Sequence, residues 1–445
     1  MSKSSALGIL FLLAACSDPR SLQGWPLNES HAGAKDTWIT FVAGKDAPVM
    51  LQDDAGDIFV ASGSDVSRLN SDGMCKEHFQ TDLKIRAIDR LPDGNLVLAG
   101  KLISDKAGCK SGPLSGFDKM AGACRGAAAV SVVDPHGNQL WSVINSGRHD
   151  SAVNSAIVSR QGQILAVGYE RAEADSHPQM YITTLSKSGK HDKSALLSKG
   201  WLNRIVDTAS GVIVAGASFE DYEPGESGDR AWIAALSPDL DILNSITLPP
   251  IPEPAEATKN ILHFPVVVDV ISIGPEGQLL AGGNYVKRFT TYLPDDRRGY
   301  LAGDAWFQWL SSDLKVQHSL LKQPGNPNSL LQASDRTVLV AGSIWKKPTF
   351  PNSDVALFAM NPDGHVQWKR RYGMRFMDSA TEILKADEGA YLVTGKIGHS
   401  PYHGLSFVMK TDAAGRIKPA ALKLMKERIR MRATYKERLS SCAPE

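Results

Sequence analysis

A strand pattern that repeats seven times predicts an all-β chain, a seven-bladed β-propeller of four-stranded antiparallel blades with a C-terminal basic helix. Three observations predict this class. Seven apolar runs each end near a glycine, a second set of alternating runs follows them, and 39 glycines and 24 prolines are typical of many tight turns. A solenoid is the alternative architecture. The predicted boundaries are a signal peptide over 1–15, a tether over 16–35, the propeller over 36–418, and the basic helix and tail over 419–445.

Composition excludes several other classes. The chain has 445 residues, 42% of them hydrophobic, and 49 Lys and Arg balance 48 Asp and Glu. This is the composition of an ordinary globular chain with ample core, so wholesale disorder and a multi-span membrane protein are excluded. The charge balance does not support a global electrostatic interaction with nucleic acid.

The first element is a short N-terminal apolar segment. Lys3 precedes an apolar run over 6–15. This run is about half of the ~20 residues that a membrane-spanning helix needs, so it predicts a secretion signal. Leu13, Ala14, Ala15 and Cys16 resemble the lipobox of bacterial lipoproteins. The resemblance implies that Cys16 is acylated and becomes the mature N-terminus; an incidental cysteine after an ordinary signal is the alternative.

The resemblance also implies a location. A residue other than Asp after the lipidated cysteine favours the outer membrane, and Ser17 fits this pattern. Two or three acyl chains would anchor the protein stably, because each buried CH₂ contributes about 0.8 kcal/mol. We therefore expect a bacterial protein anchored by lipid to the outer membrane, on its periplasmic or its cell-surface side.

The next element is a single strand over 36–42 that precedes the repeats. In a ring of sheets the two chain ends must meet, because an open last blade would expose unpaired backbone groups. We expect this strand to supply the outer strand of the seventh blade.

Each repeat then reads as two hairpins. In the first hairpin a Gly-bearing pair, such as Asp93 and Gly94, predicts a two-residue turn before a buried strand. These strands occupy 57–63, 95–100, 163–168, 212–216, 278–282, 337–342 and 390–395. The second hairpin begins with the strands at 128–133, 181–185, 232–236, 306–310, 355–360 and 406–410.

Strand order assigns the two faces of the ring. The first-to-second and third-to-fourth turns share one face and are short. The second-to-third connections and the links between blades share the other face and hold nearly all the length, at 101–125, 170–179, 220–230, 249–265, 284–303 and 344–353. Long loops on a rigid scaffold usually carry binding residues, so the long-loop face is the predicted binding face.

Four cysteines remain after Cys16, an even number in an oxidising compartment. Cys109 and Cys124 bracket a Gly-rich insertion, and Cys75 with Cys442 would tie the C-terminus to the first repeat. We favour these two disulfides among the three connectivities that four cysteines allow; buried free thiols are the alternative.

The segments 356–368 and 130–141 resemble the repeats of quinoprotein-like propellers, in which a Trp four residues after a turn glycine docks between blades. Trp368 and Trp141 occupy this position. Trp38, Trp232 and Trp306 are assigned to third strands instead. Together with the lipobox, the chain is similar to outer-membrane propeller lipoproteins, some of which scaffold the assembly of other membrane proteins. This similarity implies an envelope or outer-membrane protein as partner.

Sequence motifs for enzymatic chemistry are missing. The chain contains no H-E-x-x-H, G-x-S-x-G, P-loop, G-x-G-x-x-G or C-x-x-C motif. We assign no catalytic residue, no metal and no cofactor, and we favour a binding protein over an enzyme. His399 and His403 are interpreted as solvated loop residues, and Asp53, Asp54 and Asp57 as turn-capping residues.

The fifth-blade insertion is both aromatic and basic. Such loops stack on sugar rings or enter a partner's groove, and a self-packed loop is the equal alternative. The insertion makes a polysaccharide ligand the second hypothesis. Its binding candidates are Tyr285, Arg288, Phe289, Tyr292, Arg297 and Tyr300.

The last element departs from the repeat. Residues 416–438 hold nine Lys and Arg against Glu427 and Glu437. Leu422, Met425 and Ile429 are spaced as on one face of a helix, which predicts an amphipathic basic helix. This helix would dock on its own acidic ring, or contact anionic lipid or an acidic partner.

Overall fold

The computed structural model describes residues 36–44, 46–102, 126–145, 150–173, 176–209, 211–219, 230–249, 251–252, 262–263, 267–274, 277–284, 305–322, 325–333, 336–345, 353–373, 378–400, 403–419 and 423. The predicted signal peptide, the tether and nearly all of the C-terminal segment lie outside these ranges. Pro419 and Lys423 are helical. Among the described residues, no helix has the length and apolarity to cross a membrane.

The described chain folds almost entirely into antiparallel strands. β1 spans Trp38–Val42, and the remaining strands fall into six groups along the chain, the last of which β1 joins. A six-stranded group comprises β2 Val49–Gln52, β3 Ile58–Leu69, β4 Cys75–Arg90, β5 Leu96–Leu102, β6 Ala127–Val133 and β7 Gln139–Asn145. A seven-stranded group comprises β8 Asp150–Val158, β9 Ile164–Arg171, β10 Gln179–Leu185, β11 His191–Thr208, β12 Gly211–Ser218, β13 Arg230–Leu236 and β14 Ile242–Thr247.

The later strands form smaller sheets. A two-stranded sheet, β15 Ile251–Pro252 and β16 Leu262–His263, is followed by three four-stranded sheets. These are β17 Val270–Ile273, β18 Leu279–Asn284, β19 Ala305–Leu310 and β20 Val316–Lys322; then β21 Asn326–Gln332, β22 Val338–Trp345, β23 Ser353–Met360 and β24 Val366–Tyr372; and last β25 Ser379–Lys385, β26 Tyr391–Ser400 and β27 His403–Thr411 with β1. A 3₁₀ turn at Asp387–Gly389 joins β25 to β26.

The long strand β3 is itself a hairpin. A straight strand of its length would hold Asp57 and Arg68 about 36 Å apart, at about 3.3 Å per residue. Instead Arg68 Nη2 lies 2.7 Å from Asp57 Oδ2. The strand therefore folds back near Gly63, whose φ of 65° suits a tight turn.

Two strands change partners along their length. The first part of β4 pairs with the end of β3, and its part from Leu83 to Arg90 pairs with β5. β11 behaves in the same way, with Gln179–Lys199 as one terminal pair to β10 and Gly200–Ser218 as the first pair to β12. In each set of strands we call the strand nearest the common axis the inner strand and the strand farthest from it the outer strand. The first part of β4 or β11 is thus the outer strand of one set, and its second part is the inner strand of the next set.

The inner strands pack side by side around a common axis. β8 packs between the second part of β4 and the second part of β11, β17 lies between β11 and β21, and β25 packs against β21 on one side and β2 on the other. Because the last inner strand contacts the first, the sheets form a closed circle. This arrangement confirms the predicted all-β propeller architecture.

The N-terminal strand closes this circle. β1 pairs antiparallel with β27 over five residues, from Trp38 opposite Lys410 to Val42 opposite Ser406. Phe41 is 1% exposed and joins a core cluster with Val393 and Phe407. The single strand predicted over 36–42 occupies this place.

The hairpin turns differ from the prediction. In the turn at Leu91, the Leu91 N–H donates to Asn95 O at 2.8 Å and the Gly94 N–H to Leu91 O at 2.9 Å. This pattern is a three-residue loop, a type I turn followed by a residue with positive φ, so the two-residue turn predicted from sequence was wrong here and at the other turns with the same hydrogen bonds. The physical reason is that one positive φ suffices here, as at Gly94 with φ 92°, whereas a two-residue I′ turn needs two. Between β11 and β12 the pairing of Thr208 with Gly211 does leave a two-residue loop.

Aromatic side chains on outer strands dock onto turns of the neighbouring sheet. The Trp141 Nε1–H donates to Lys187 O at 3.0 Å, and a Cβ on Gly189 would lie 2.7 Å from the Trp141 ring. Trp368 covers Gly415 in the same way. Trp38 covers Gly73, so it belongs with these outer-strand tryptophans and not with the third strands to which the sequence assigned it.

Candidate functional site

In six of the seven repeats a glycine at or next to the end of the apolar run lies against the inner strand of its sheet. A Cβ on Gly168 would lie 1.9 Å from Ala152 O, and one on Gly342 would lie 1.9 Å from Asn326 O. Gly100, Gly216 and Gly395 meet an inner-strand carbonyl in the same way. In the fifth repeat Gly283 fills this role, at 2.2 Å from Val267 O, one residue after the glycine that the sequence pattern selected.

The close approach accompanies a β-bulge in the inner strand. Immediately after the residue that pairs with the glycine, one residue is left without a partner, as Asn154 is between Val153 and Ser155. The same register shift occurs at four further inner strands. Asp269 takes the equivalent place, since its N–H donates to Gly282 O at 3.1 Å. We call these six residues the channel girdle: Arg86, Asn154, Asn203, Asp269, Asn328 and Thr381.

Four girdle residues tie their sheet to the next inner strand. Each donates a side-chain hydrogen bond to a backbone carbonyl of that strand or of the segment entering it. These bonds run from Asn154 to Leu202 O at 2.8 Å, from Asn203 to Val268 O at 3.3 Å, from Asn328 to Ala380 O at 2.7 Å, and from Thr381 to Pro48 O at 2.5 Å. At about 1 kcal/mol each, these bonds stabilise contacts between sheets.

The other two girdle residues break this pattern. Asp269 is a carboxyl group that accepts a hydrogen bond from the Asn284 N–H at 3.3 Å. Arg86 donates to the side-chain oxygen of Asn154 on the next inner strand and not to a backbone carbonyl. A position where a repeated structural rule fails is a candidate for a functional role.

The girdle lines a cavity of about 600 Å³ in the central channel. Other lining residues come from the beginnings of inner strands and the segments before them, such as Lys84 and Asp46, from the last part of β22 at Ser343 and from the beginning of β23 at Ser353. Leu83 pairs with Leu102, the last residue before the 103–126 connection, so inner strands begin on the long-loop face. The cavity therefore opens where the predicted binding loops emerge.

We call the end of the cavity that opens on the long-loop face the cavity mouth. The charged groups that line it are half-buried. Of the described residues that line it, Lys84, Arg86, Arg204 and Lys396 are cationic, and Asp46 and Asp269 are acidic. Lys84 Nζ lies 3.1 Å from Asp46 Oδ1. Arg204 donates to Asn203 O at 3.1 Å and to Asn328 O at 3.4 Å.

Burial shifts the protonation of the acids near Arg204. Burial raises the pKa of Asp269 to about 6, although Arg204 and the Asn284 N–H oppose the shift. Burial likewise raises the pKa of Glu382 to about 7, against the Met50 N–H and Arg204. The pKa of Arg204 is lowered by burial, with Glu382 and Asp269 opposing. Both acids are thus biased toward their neutral forms, whereas an arginine stays charged.

The cysteines and loop residues predicted from sequence are placed only in part. Cys75 begins β4, is half-buried and is disulfide-bonded. Its partner lies outside the described residues, as do Cys16, Cys109, Cys124 and Cys442. The six candidates of the fifth-blade insertion, between β18 and β19, also lie outside them.

The acidic positions make structural contacts, and the two histidine positions lie in strands. Asp53 accepts hydrogen bonds from the N–H groups of Ala55 and Asp57 in its own turn, and Asp57 pairs with Arg68 and Lys76. His399 and His403 belong to β26 and β27, not to a loop as predicted. No cluster of three metal-ligating side chains occurs within the described ranges.

The sequence interpretation missed the girdle, although the chain carries a signal for it. We call the glycines that lie against an inner-strand carbonyl the packed glycines. In five repeats a polar residue stands fourteen positions before the packed glycine, as Arg86 does before Gly100, and in one repeat Asn203 stands thirteen positions before Gly216. The apolar runs drew attention to the glycines, whereas the partner residue lies in the preceding strand and changes its type from repeat to repeat.

Comparisons with known proteins bear on the fold. No family model and no curated protein matches the chain. A polysaccharide lyase of family PL25, an ulvan lyase solved with its saccharide, is similar with a TM-score of 0.51 and 10% identity, over 86% of this chain and 97% of that one.

Two further structures are similar at lower TM-scores. The Neurospora crassa Pan2 WD40 domain gives 0.47 at 9% identity, over 82% of this chain and 89% of that one. The Penicillium chrysogenum α-L-arabinanase complexed with arabinobiose gives 0.45 at 12% identity, over 74% and 92%. At these identities the likeness concerns the fold alone.

Proposed function

We propose that the chain is a lipid-anchored propeller of the bacterial outer membrane that binds a protein partner through its long-loop face. One observation carries this proposal: the central cavity and the long connections share one face, while the opposite face consists of short hydrogen-bonded turns. A rigid ring with variable loops at one end is suited to recognition. The anchor rests on the resemblance of the segment ending at Cys16 to a lipobox.

The proposed ring has seven four-stranded blades. Dividing β3 at its hairpin, and β4 and β11 where they change partners, supports seven sets of four strands when β1 is added to β27. We further propose that the basic segment after residue 418 is a helix that docks on the ring or on an acidic partner. The pairings Cys109–Cys124 and Cys75–Cys442 remain proposals, and the mass difference on reduction tests them.

Purification from the native envelope tests the partner. We expect affinity purification from detergent-solubilised membranes to recover a membrane protein in stoichiometric amount. Cys16→Ser should move the protein to the soluble fraction, since acyl chains provide the anchoring free energy. Unchanged membrane association of this variant would contradict the lipid anchor, and purification without any stoichiometric partner would contradict the scaffold role.

A saccharide ligand is the second candidate function. The observation that favours it is the cavity mouth, where amide, carboxyl and guanidinium groups converge on a space of about 600 Å³, within the usual range for small ligands. Retention of the protein on a polysaccharide column, together with the absence of a protein partner, would favour this candidate over the first.

A further inference from the structure

The cavity mouth presents hydrogen-bond acceptors that the fold itself leaves unused. Asn203 and Asn328 each donate through Nδ2 to a backbone carbonyl, which cannot donate in return. This fixes the orientation of both amides and leaves each Oδ1 free to accept. Neither oxygen has a hydrogen-bond partner among the described residues.

Asn326 adds a third acceptor to the same wall. It lines the cavity, and its Oδ1 is buried without a hydrogen-bond partner in the described part of the chain. A buried acceptor without a partner costs about 1–3 kcal/mol. A ligand that brings hydroxyl donors would remove this cost, whereas an apolar ligand would not.

The positive charge of the cavity mouth favours hydroxylated ligands that also carry a negative charge. With the Lys84–Asp46 pair set aside, the guanidinium groups of Arg86 and Arg204 line the cavity beside the carboxyl group of Asp269. Glu382 lies close enough to Arg204 to interact with it electrostatically, and burial favours the neutral form of both acids. Guanidinium groups present several N–H donors in a plane and bind carboxylates well.

The variation around the girdle also indicates an asymmetric ligand. Four positions keep a side chain that donates to a backbone carbonyl of the next sheet. Arg86 donates to the Asn154 side chain of the next sheet instead, and Asp269 accepts from the Asn284 N–H of its own sheet, so a guanidinium and a carboxyl group stand on well-separated inner strands. A ligand with different groups at its two ends would use this difference.

We propose that the cavity mouth binds a polyhydroxylated carboxylate, that is, a sugar acid or the uronate end of a saccharide. The carboxylate would bind Arg86 and Arg204, and the hydroxyl groups would donate to the side-chain oxygens of Asn203, Asn326 and Asn328. This inference deepens the second candidate function by naming its ligand class and does not depend on the lipid anchor.

Calorimetric titration of the detergent-solubilised protein tests this proposal. The probes are glucuronate, galacturonate and digalacturonate, with galactobiose as the neutral control and acetate as the simple anion. We expect at least one uronate to bind at least tenfold more tightly than both controls. Binding of galactobiose equal to that of digalacturonate, or no binding of any uronate at millimolar concentration, would overturn the proposal.

Arg86→Asn is the matched variant, because Asn already stands at the equivalent position in three other sheets and can donate to the next strand. It should keep the melting temperature within a few degrees and weaken uronate binding at least tenfold. Lys190→Asn removes the same charge from an exposed turn on the opposite face and should leave binding unchanged. Equal affinities of wild type and Arg86→Asn would overturn the assignment of the carboxylate site.

Two comparisons complete the test. The first distinguishes a free sugar acid from the end of a saccharide, and the second distinguishes failure of the channel site from failure of the second candidate function. Equal affinity for monomer and dimer indicates a free sugar acid, and tighter binding of the dimer indicates a saccharide end; either supports the ligand class. Retention of Arg86→Asn on the polysaccharide column without uronate binding would overturn the channel site and leave the second candidate function standing.

Discussion

Single residues set the geometry of the inner strands. The packed glycines allow a backbone carbonyl to approach within a distance that any Cβ would block, and the bulge beside them turns a polar side chain toward the channel. The position of these glycines was predictable from sequence because the apolar runs end on them. The reason that glycine is needed there was not predictable, since it depends on a carbonyl fifteen or sixteen residues earlier in the chain.

Gly168→Ala tests this close approach. A Cβ at 1.9 Å from Ala152 O must move the backbone of two strands, so we expect a loss of at least about 3 kcal/mol of unfolding free energy. Gly162→Ala in the same hairpin is the control: its Cβ meets nothing within 4 Å, and its φ of 78° costs only about 1–2 kcal/mol. Thermal melting followed by circular dichroism compares the two; equal losses would contradict the steric argument.

The pH dependence of stability tests the burial of Glu382. Its pKa is raised from 4.5 to about 7 by burial, so its contribution to stability is fully present below pH 4.5 and is lost as the pH rises through 7. Glu382→Gln keeps an acceptor for the Met50 N–H and removes the charge. We expect the variant to melt a few degrees above wild type at pH 8 and to lose less stability between pH 5 and pH 8.

The control for this prediction is Glu173→Gln, where the substituted side chain is exposed. It should reproduce the wild-type melting curve at both pH values. A Glu382→Gln variant that melts below wild type at pH 8 would show that the carboxylate is stabilised by its pairing with Arg204. This result would contradict a pKa of Glu382 that is raised by burial.

At the scale of elements, large apolar side chains on outer strands, most of them aromatic, pack against turns of the neighbouring sheets. Trp141, Trp368 and Trp38 cover the turn glycines Gly189, Gly415 and Gly73, and Phe79 and Leu320 do the same at Gly137 and Gly364. Sequence resemblance predicted the docking of Trp141 and Trp368. It missed Trp38, because that residue precedes the first repeat in the chain and reaches its place only when β1 joins β27.

Substitutions at Trp141 separate packing from hydrogen bonding. Trp141→Ala removes the ring from Gly189 and should lower the unfolding free energy by about 3 kcal/mol. Trp141→Phe keeps most of the packing and loses the bond to Lys187 O, at a cost of about 1 kcal/mol. Denaturant unfolding measures both, and equal losses would indicate that the ring contributes little.

For the whole molecule, closure of the ring depends on the N-terminal strand. A chain that begins at residue 44 leaves the edge of β27 unpaired and removes Ile39 and Phe41 from a core cluster. Buried side chains of this size contribute about 2–5 kcal/mol each, so we expect this chain to aggregate or to melt far below wild type. A chain that begins at residue 36 is the control and should melt as wild type does. Equal melting of the two would contradict closure by β1.

The repeat, the closing strand and the two faces of the ring could be predicted from sequence. Each follows from the local strand pattern, or from the need to pair the backbone groups at the edges of the sheets. Sequence was insufficient for the girdle. Its members lie about 50 to 70 residues apart in the chain, differ in type, and meet only when the inner strands converge on the axis.

The central claim is that this protein binds through its long-loop face. Site-specific photocrosslinking in the native envelope tests this most directly, with a photoreactive residue at Glu173 on the long-loop face and, separately, at Lys190 on the opposite face; both positions are exposed. We predict a discrete adduct with the partner from position 173 and none from position 190. An adduct from position 190 with none from position 173 would contradict the account.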